Sequence, residues 1–414
     1  MCLHFIVDRL CLMSSHHNYE VMQNWLDEKE ERQLQDSRIR NILLHTQFEH
    51  LFEWSLPHES VGPSFFQKLK CPVTECVVTR NRYFLNQITD YDAIILHVDD
   101  NMSESLQHML PEHRVPSQIY IKANRQSPAK IKKVLGRMKN LFNWTMSFRL
   151  DSEVLWNFGN VVDINSGNIV GPVRHMLHQW RSWNRSYFDD SFMQLVQRKR
   201  KMAVQLNADC SKDSLEKKLI RQIKMYIAVD QYGDCAEKKC SNTSDCTRLL
   251  NDDYKFFLAF ERALCKDYIS EDLYTALRNN IIPVVFGAAE YWKFIPPHSY
   301  IDVQEFGSVQ QLVEYLQYLV NNPHEYVKYF WWKQYYRIEE SLPFCELCRK
   351  IHDIGARERI QHYRNIDDWW YDSVCQTETM ILHENGMIRG NPKRYPNYSN
   401  LLKRPVKEIA YWGG

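Results

Sequence analysis

A chain of 414 residues with 44% hydrophobic composition is long enough for two globular domains with buried cores. Its 52 Lys+Arg against 51 Asp+Glu leave a formal charge of +1, which removes the long-range field that would favour nucleic acid or an anionic membrane. The basic run QRKRK at 197–201 reads as a solvated helix face, and no stretch reaches the ~18 consecutive apolar residues of a membrane span.

The opening MCLHFIVDRLCLM is interrupted by His4, Asp8 and Arg9, and it lacks the basic start and cleavage site of a leader. Residues 1–70 read as a polar, stem-like lead-in. From 71 onward strand and helix signals alternate. YDAIILHV (91–98), PSQIYIKA (116–123) and LFNWTMSFRLDSEV (141–154) are apolar–aromatic runs, with AKIKKVLGRMKNLF (129–142) helical between them. They make one Rossmann-like half at 71–175. Gly159, Gly167, Gly171 and Pro172 mark 155–190 as an inter-domain connection. A second half follows at 176–345: MAVQLN, the helix KLIRQIKMY, IAVDQYG, YKFFLAF, a helix near 270–279, and IIPVVFG. VQQLVEYLQYLV (309–320) has the apolar spacing of a core-facing helix. The tail, 346–414, is expected to pack back over both halves.

Twelve cysteines cluster as CPVTEC (Cys71, Cys76), DCAEKKCSNTSDC (Cys235, Cys240, Cys246) and CELC (Cys345, Cys348). Such spacing reads as local disulfide loops in an oxidising compartment. Zinc at Cys345 and Cys348 is the alternative, without a second ligand pair nearby. Sequons at Asn101, Asn143, Asn184, Asn242 and Asn397 suit a lumenal, glycosylated chain, Asn242 lying inside a cysteine loop. Trp331 and Trp332 are read as core residues, with a sugar-stacking surface as the alternative.

Neither GxGxxG nor GxxxxGK[ST] occurs, which excludes the common dinucleotide and P-loop sites. Two alternating α/β halves are the architecture of many sugar transferases, with ligands at the carboxyl ends of strands. FERALCKDYISEDLY (260–274) has the strand–loop–helix shape that holds phosphate at a helix N-terminus. Yet its first turn carries Ser270, Glu271 and Asp272, with no cation.

The longer stretch NDDYKFFLAFERALCKDYISEDLYTALRNNIIPVVFG resembles the donor-binding motif of the α1,3-fucosyltransferases, glycosyltransferase family 10. NWTMSFRLDSEV and PSQIYIKANRQSP are similar to further segments of that family. VDQYGDC with Cys240 and Cys246, FCELC, DDWW and Cys375 resemble the branch that fucosylates the N-glycan core. The likeness covers about 71–376. It implies a GT-B fold, two Rossmann-like domains facing a cleft. It implies transfer from GDP-fucose, with inversion, to N-acetylglucosamine of a glycoprotein N-glycan. No metal is required on this reading, with Mn2+ stimulation left open. The family's setting is the Golgi lumen, as type II membrane proteins, although no anchor is visible in this sequence.

The resemblance also implies roles. Glu261 faces the fucose and Glu271 the ribose; Tyr254, Tyr268 and Arg149 belong to the donor side, and His97 to the acceptor side. Several positions depart from the family. Gln126 stands where the family has its catalytic Glu, and an amide is no base at neutral pH. Arg262 replaces an Asn, Asp272 a Lys that meets the diphosphate, and Glu216 an Arg; Lys217 and Lys218 are adjacent substitutes. Asp99 and Asp100 are substitute bases. Asp272 then has two readings. It suits the helix dipole by ~0.3–1 kcal/mol, with Ser270 as cap. Alternatively it repels a diphosphate by ~4 kcal/mol per charge pair at ~4 Å and an effective dielectric of 20, a loss that Arg262 relieves in part. Function has two readings as well: a working fucosyltransferase, or a catalytically impaired relative that binds a glycan or partner.

Overall fold

Short apolar runs bounded by polar turns form the strands of two compact units. In the computed structural model the described residues are 38–45, 56–97, 110–111, 113–128, 139–174, 180–181, 190–206, 214–236, 238–240, 243–358, 363–371 and 374–375. Unit 1 comprises Met1–Asn157, Val173–Gln179 and Ser341–Asp372; unit 2 comprises Phe158–Pro172, Trp180–Glu340 and Ser373–Gly414.

Unit 1 is built on a sheet in the order β2-β3-β1-β4-β5-β6-β7. Its strands are β1 (Arg40–Leu44), β2 (Ser60–Val61), β3 (Cys76–Thr79), β4 (Ala93–His97), β5 (Ile119–Asn124), β6 (Trp144–Ser147) and β7 (Val154–Leu155). All neighbours are parallel except the β2–β3 pair. β4 and β5 are buried along their whole length, as strands covered on both faces must be. Ile95, Ile121 and Ala123 pack into one core with Trp144 and Phe344; Leu96 and Tyr120 enter the other with Ile366. Strand β1 falls inside the stretch expected to be a polar lead-in. RNILL is a short buried strand, and the charged residues before it hide that signal.

Unit 2 holds a fully parallel sheet in the order β11-β10-β12-β13-β14: β10 (Lys201–Gln205), β11 (Val229–Gln231), β12 (Tyr254–Phe260), β13 (Ile282–Phe286) and β14 (Ile301–Asp302). Helix α1 (Leu215–Lys224) begins with Ser214 accepting from the Lys217 amide, and buries Leu215, Leu219, Ile220 and Ile223. Helix α2 (Glu271–Arg278) joins β12 to β13. Helix α3 (Val309–Asn321) buries Leu312, Val313, Leu316 and Leu319, the face that its periodicity predicts.

The expected connection at 155–190 is instead partly a sheet. β8 (Asn160–Asp163) and β9 (Ile169–Gly171) form a hairpin, and β8 pairs on its other edge with β15 (Tyr336–Glu339). Gly167, at φ +73°, provides the left-handed turn that its lack of a side chain allows. The QRKRK run is likewise split. Lys199 is buried, and its ammonium donates to the carbonyls of Leu250 (2.7 Å), Tyr254 (2.9 Å) and Asn280, while its neighbours in the run are exposed. Burial lowers its pKa to about 7.

The cysteines do not pair within their sequence clusters, save one. Cys71 bonds Cys345 and Cys76 bonds Cys348, so two bridges fasten helix α4 (Phe344–His352) to the segment leading into β3. Cys345 and Cys348 are three apart, one helical turn, and reach two points of the same segment. Cys240–Cys246 is local as expected, Cys265 bonds Cys375, and Cys235 is also oxidised. Cys76, Cys348 and His352 form the one metal-like group among the described residues, and both sulfurs are in a disulfide, which leaves no thiolate for zinc.

Asn143 is wholly buried, and its carboxamide oxygen accepts from the Tyr120 amide at 2.8 Å and from Arg114, so the folded chain cannot carry a glycan there. Asn101, Asn184, Asn242 and Asn397 lie outside the described residues, as does 129–138 of the expected helix. Trp331 and Trp332 are buried core residues, with the Trp331 indole donating to the Pro297 carbonyl at 3.0 Å. Among the described residues no helix is long and apolar enough to cross a membrane.

Because the two α4 bridges close nearly the same loop, either one retains most of the constraint. Removing Cys76–Cys348 alone, as Cys76→Ser/Cys348→Ser, is expected to cost less than removing both pairs, for which about 2–4 kcal/mol is expected. Chemical denaturation of the three forms checks this, and non-reducing peptide mapping should recover the 71–345 and 76–348 crosslinks.

Candidate functional site

In the order β11-β10-β12 the chain leaves β10 in one direction and returns on its other side. Ligands of open parallel sheets bind at the carboxyl ends of strands where the order reverses, here between β10 and β12. Gln205 ends β10, Glu216 lies in the first turn of α1, Glu261 and Arg262 follow β12, and Ser270 precedes α2.

Glu261 is 2% exposed. Its Oε1 accepts from the Ser270 amide at 2.8 Å and from the Ser270 hydroxyl at 3.2 Å. Ser270 therefore sits at the N-cap without capping through its side chain, because its hydroxyl is turned to the buried carboxylate. Glu261 Oε2 is buried with no hydrogen-bond partner among the described residues. Burial raises its pKa to about 8; the bond from the Ser270 amide opposes this, and the Asp272 and Glu216 carboxylates add to it. Gly287, just past β13, lies against it. A Cβ there would collide with the Tyr291 hydroxyl and lie 2.8 Å from Glu261 Cγ.

Glu216 is equally enclosed, its side chain 3% exposed. Gln205 Nε2 donates to its Oε1, and Arg262 Nε lies 3.8 Å from its Oε2. Gln205 is itself oriented: Gln231 Nε2 donates to Gln205 Oε1 at 2.7 Å, and Lys224 donates to Gln231 Oε1 at 2.5 Å. A cation at one end fixes every donor in this chain to point towards Glu216.

The other expected residues distribute unevenly. Glu271 is exposed and Asp272 half-buried in the first turn of α2, and Tyr268 is buried in the loop before it. Lys218 is exposed and lies two positions from Glu216, about 200° around the helix, so it faces away from the crevice. Tyr254 begins β12, roughly 23 Å along the strand from Glu261. Its hydroxyl pairs with Asp230 and lies 3.1 Å from that of Tyr232, a buried structural role. Arg149 belongs to unit 1, where Asp151, the Trp369 carbonyl and the Trp369 ring engage its guanidinium. His97 ends β4, buried 6.1 Å from the Trp156 ring, with the Arg125 guanidinium 5.3 Å from the same ring. Gln126 lies in the turn after β5, its amide donating to Asn124 Oδ1 at 2.6 Å. Asp99 and Asp100 lie outside the described residues.

The sequence reading missed Gln205, Gln231, Gly287 and Cys265. The only local signal was their place at or just past strand ends. Cys265 matters because its bond to Cys375 pins the loop that carries Arg262.

Residues 196–369 match the family described as glycosyltransferase family 10 (fucosyltransferase) C-term, and residues 37–159 match fucosyltransferase, N-terminal. The Drosophila melanogaster protein Alpha-(1,3)-fucosyltransferase C is 35% identical over 364 residues, 87% of this chain and 84% of its own. The chain belongs to the glycosyltransferase family 10 fucosyltransferases. Its two α/β units are accordingly of the GT-B class, and it is a glycosyltransferase. A second Drosophila melanogaster relative, Glycoprotein 3-alpha-L-fucosyltransferase A, is 29% identical over 380 residues, 89% of this chain and 65% of its own. A crystal structure of an α1,3-fucosyltransferase with GDP-fucose is similar over 80% of this chain and 94% of its own, at 14% identity and a TM-score of 0.44.

The raised pKa of Glu261 makes this fucosyltransferase's stability pH-dependent. Between pH 4.5 and about 8 the folded chain holds a proton that the unfolded chain releases. Its contribution is present in full below pH 4.5 and is lost as the pH rises through 8. Glu261→Gln is expected to flatten the fall in stability over this window, by at most ~1.4 kcal/mol per pH unit. Denaturation of both proteins at pH 5, 6.5 and 8 provides the comparison.

Proposed function

We propose that the chain is an α1,3-fucosyltransferase that moves fucose from GDP-fucose, with inversion, to the innermost N-acetylglucosamine of glycoprotein N-glycans. The observation that carries this reading is Glu261, a buried carboxyl with an unfilled oxygen at the reversal point of a parallel sheet. Held largely neutral at pH 7, it both donates and accepts, which suits a sugar hydroxyl. On the same reading Glu271, exposed in the first turn of α2, meets the ribose. The acceptor supports itself on a relative's name, Glycoprotein 3-alpha-L-fucosyltransferase A. A lumenal Golgi setting is supported by the oxidised cysteines.

In the reaction the acceptor oxygen forms a bond to the anomeric carbon, and the bond to the diphosphate breaks with its electron pair leaving on GDP. The acceptor proton passes to a base. Gln126 cannot take it, so we assign that role to Asp99 or Asp100, which follow His97 closely in the sequence. Side chains, not a metal, neutralise the leaving group on this reading.

The second reading, an impaired relative that binds without transfer, is favoured by Gln126 and by the carboxylates at 216 and 272. Labelled GDP-fucose with an N-glycan acceptor and a chelator decides between them. Transfer is expected, and Asp99→Asn/Asp100→Asn is expected to lower kcat by ~10²–10⁴-fold. Binding of GDP without any transfer would leave the second reading standing. Undiminished turnover in the double variant would remove both aspartates as the base.

A further inference from the structure

From the end of β12 into α2 the chain carries Glu261, Asp267, Glu271 and Asp272 against Arg262 and Lys266, and Glu216 of α1 adds a further carboxylate. Glu216 and Asp272 both act through space on Glu261, so these charges gather at the carboxyl ends of β10 and β12. A diphosphate brought there meets more carboxylates than cations, and each unit-charge pair at ~4 Å is worth ~4 kcal/mol at an effective dielectric of 20.

The described chain ends at this same loop. Cys375 bonds Cys265, the two residues pair as an antiparallel bridge, and the Lys266 amide donates to the Val374 carbonyl at 2.7 Å. In an antiparallel pair each step forward on one strand is a step back on its partner. Val374 lies against Lys266 and Cys375 against Cys265, so the chain past Cys375 sets out towards Ala263 and Arg262. Residues 376–414, which lie outside the described residues, hold six Lys and Arg against three Glu, and the first three cations are Arg389, Lys393 and Arg394.

We infer that the segment after Cys375 is a tethered cationic arm of the donor site, in which Arg389, Lys393 and Arg394 meet the diphosphate of the donor. The inference rests on the GDP-fucose reading above and names the chain's own source of positive charge for the leaving group. Arg389 and Arg394 follow Cys375 by 14 and 19 residues, and a flexible chain of that length spans roughly 20–25 Å. Asp272, at the far end of the loop, is seven residues from Cys265 and so at most ~25 Å from it. The arm therefore reaches the whole crevice mouth. Its bridge makes the encounter intramolecular, with an effective concentration in roughly the mM range. Each guanidinium offers a phosphate two parallel N–H donors, and the acidic crevice attracts the same cations.

Calorimetric titration of the full chain with GDP and with guanosine tests this. Arg389→Gln/Lys393→Gln/Arg394→Gln is expected to weaken GDP by about ten- to hundredfold and to leave guanosine unchanged. The same variant is expected to flatten the loss of GDP affinity with added salt. Cys265→Ser/Cys375→Ser, which releases the arm from the loop, is expected to weaken GDP in the same direction. Unchanged GDP affinity in the triple variant would overturn the inference while the donor reading stands. Tighter GDP would overturn it too, because the arm would then be an occupant that the donor displaces. An equal loss for guanosine would do the same, since the phosphates would not be what the arm reads. Should the cysteine variant fail to fold, the triple variant still decides, because none of its residues belongs to a described strand or helix. Wild-type protein that binds neither GDP nor guanosine would overturn the donor reading and this inference with it.

Discussion

A carboxyl group closed off from water at the end of a central parallel strand constrains everything around the β10–β12 crevice. An ionised carboxylate in that position is costly, and the chain reduces the cost in two ways. Ser270 gives Glu261 both an amide and a hydroxyl donor, and the surrounding carboxylates favour its protonated form. Each has a structural consequence. Ser270 is withdrawn from capping α2, and position 287 has no room for a side chain because Tyr291 and Glu261 occupy the space.

Charge at the crevice is arranged locally. The first turn of α1 places Glu216 on the same helix face as Ile220 and Ile223, so its carboxylate is carried inward with the core. Burial of that charge is tolerated because Gln205 and Arg262 meet it. The Lys224–Gln231–Gln205 chain then fixes which amide oxygen and which nitrogen faces which way. Three side chains from α1, β11 and β10 thus define one orientation.

Unit 1 shows the same economy with a cation. Lys122 on β5 is buried, its ammonium 3.3 Å from the centroid of the Trp370 ring, and burial drives its pKa well below the usual value while Asp367 opposes the shift. A ring face and one carboxylate substitute for water around a lysine that strand alternation sends into the core. The paired bridges to α4 complete that core by fixing Phe344 and Leu347 against it.

Strands β4, β5, β6, β10, β11, β12 and β13 and the helix at 309–321 were legible because runs such as YKFFLAF and spacings such as VQQLVEYL are local patterns. So was the family, whose motif lies in one continuous stretch ending at Gly287. Glu261 was legible through that motif alone, since nothing in FERALC marks a buried carboxylate. Strand β1 and the β8–β9 hairpin were not, being too short for period to separate them from turns. What the sequence determined was which segments are strands and helices, and which chemical groups stand at their ends. The tertiary structure alone decided that Cys71 and Cys76 reach α4 instead of each other, that Lys218 faces away while Glu216 faces in, and that Arg262 meets Glu216. Those outcomes depend on strand order and helix rotation, which bring residues dozens to hundreds of positions apart to one point, and no local pattern encodes that meeting.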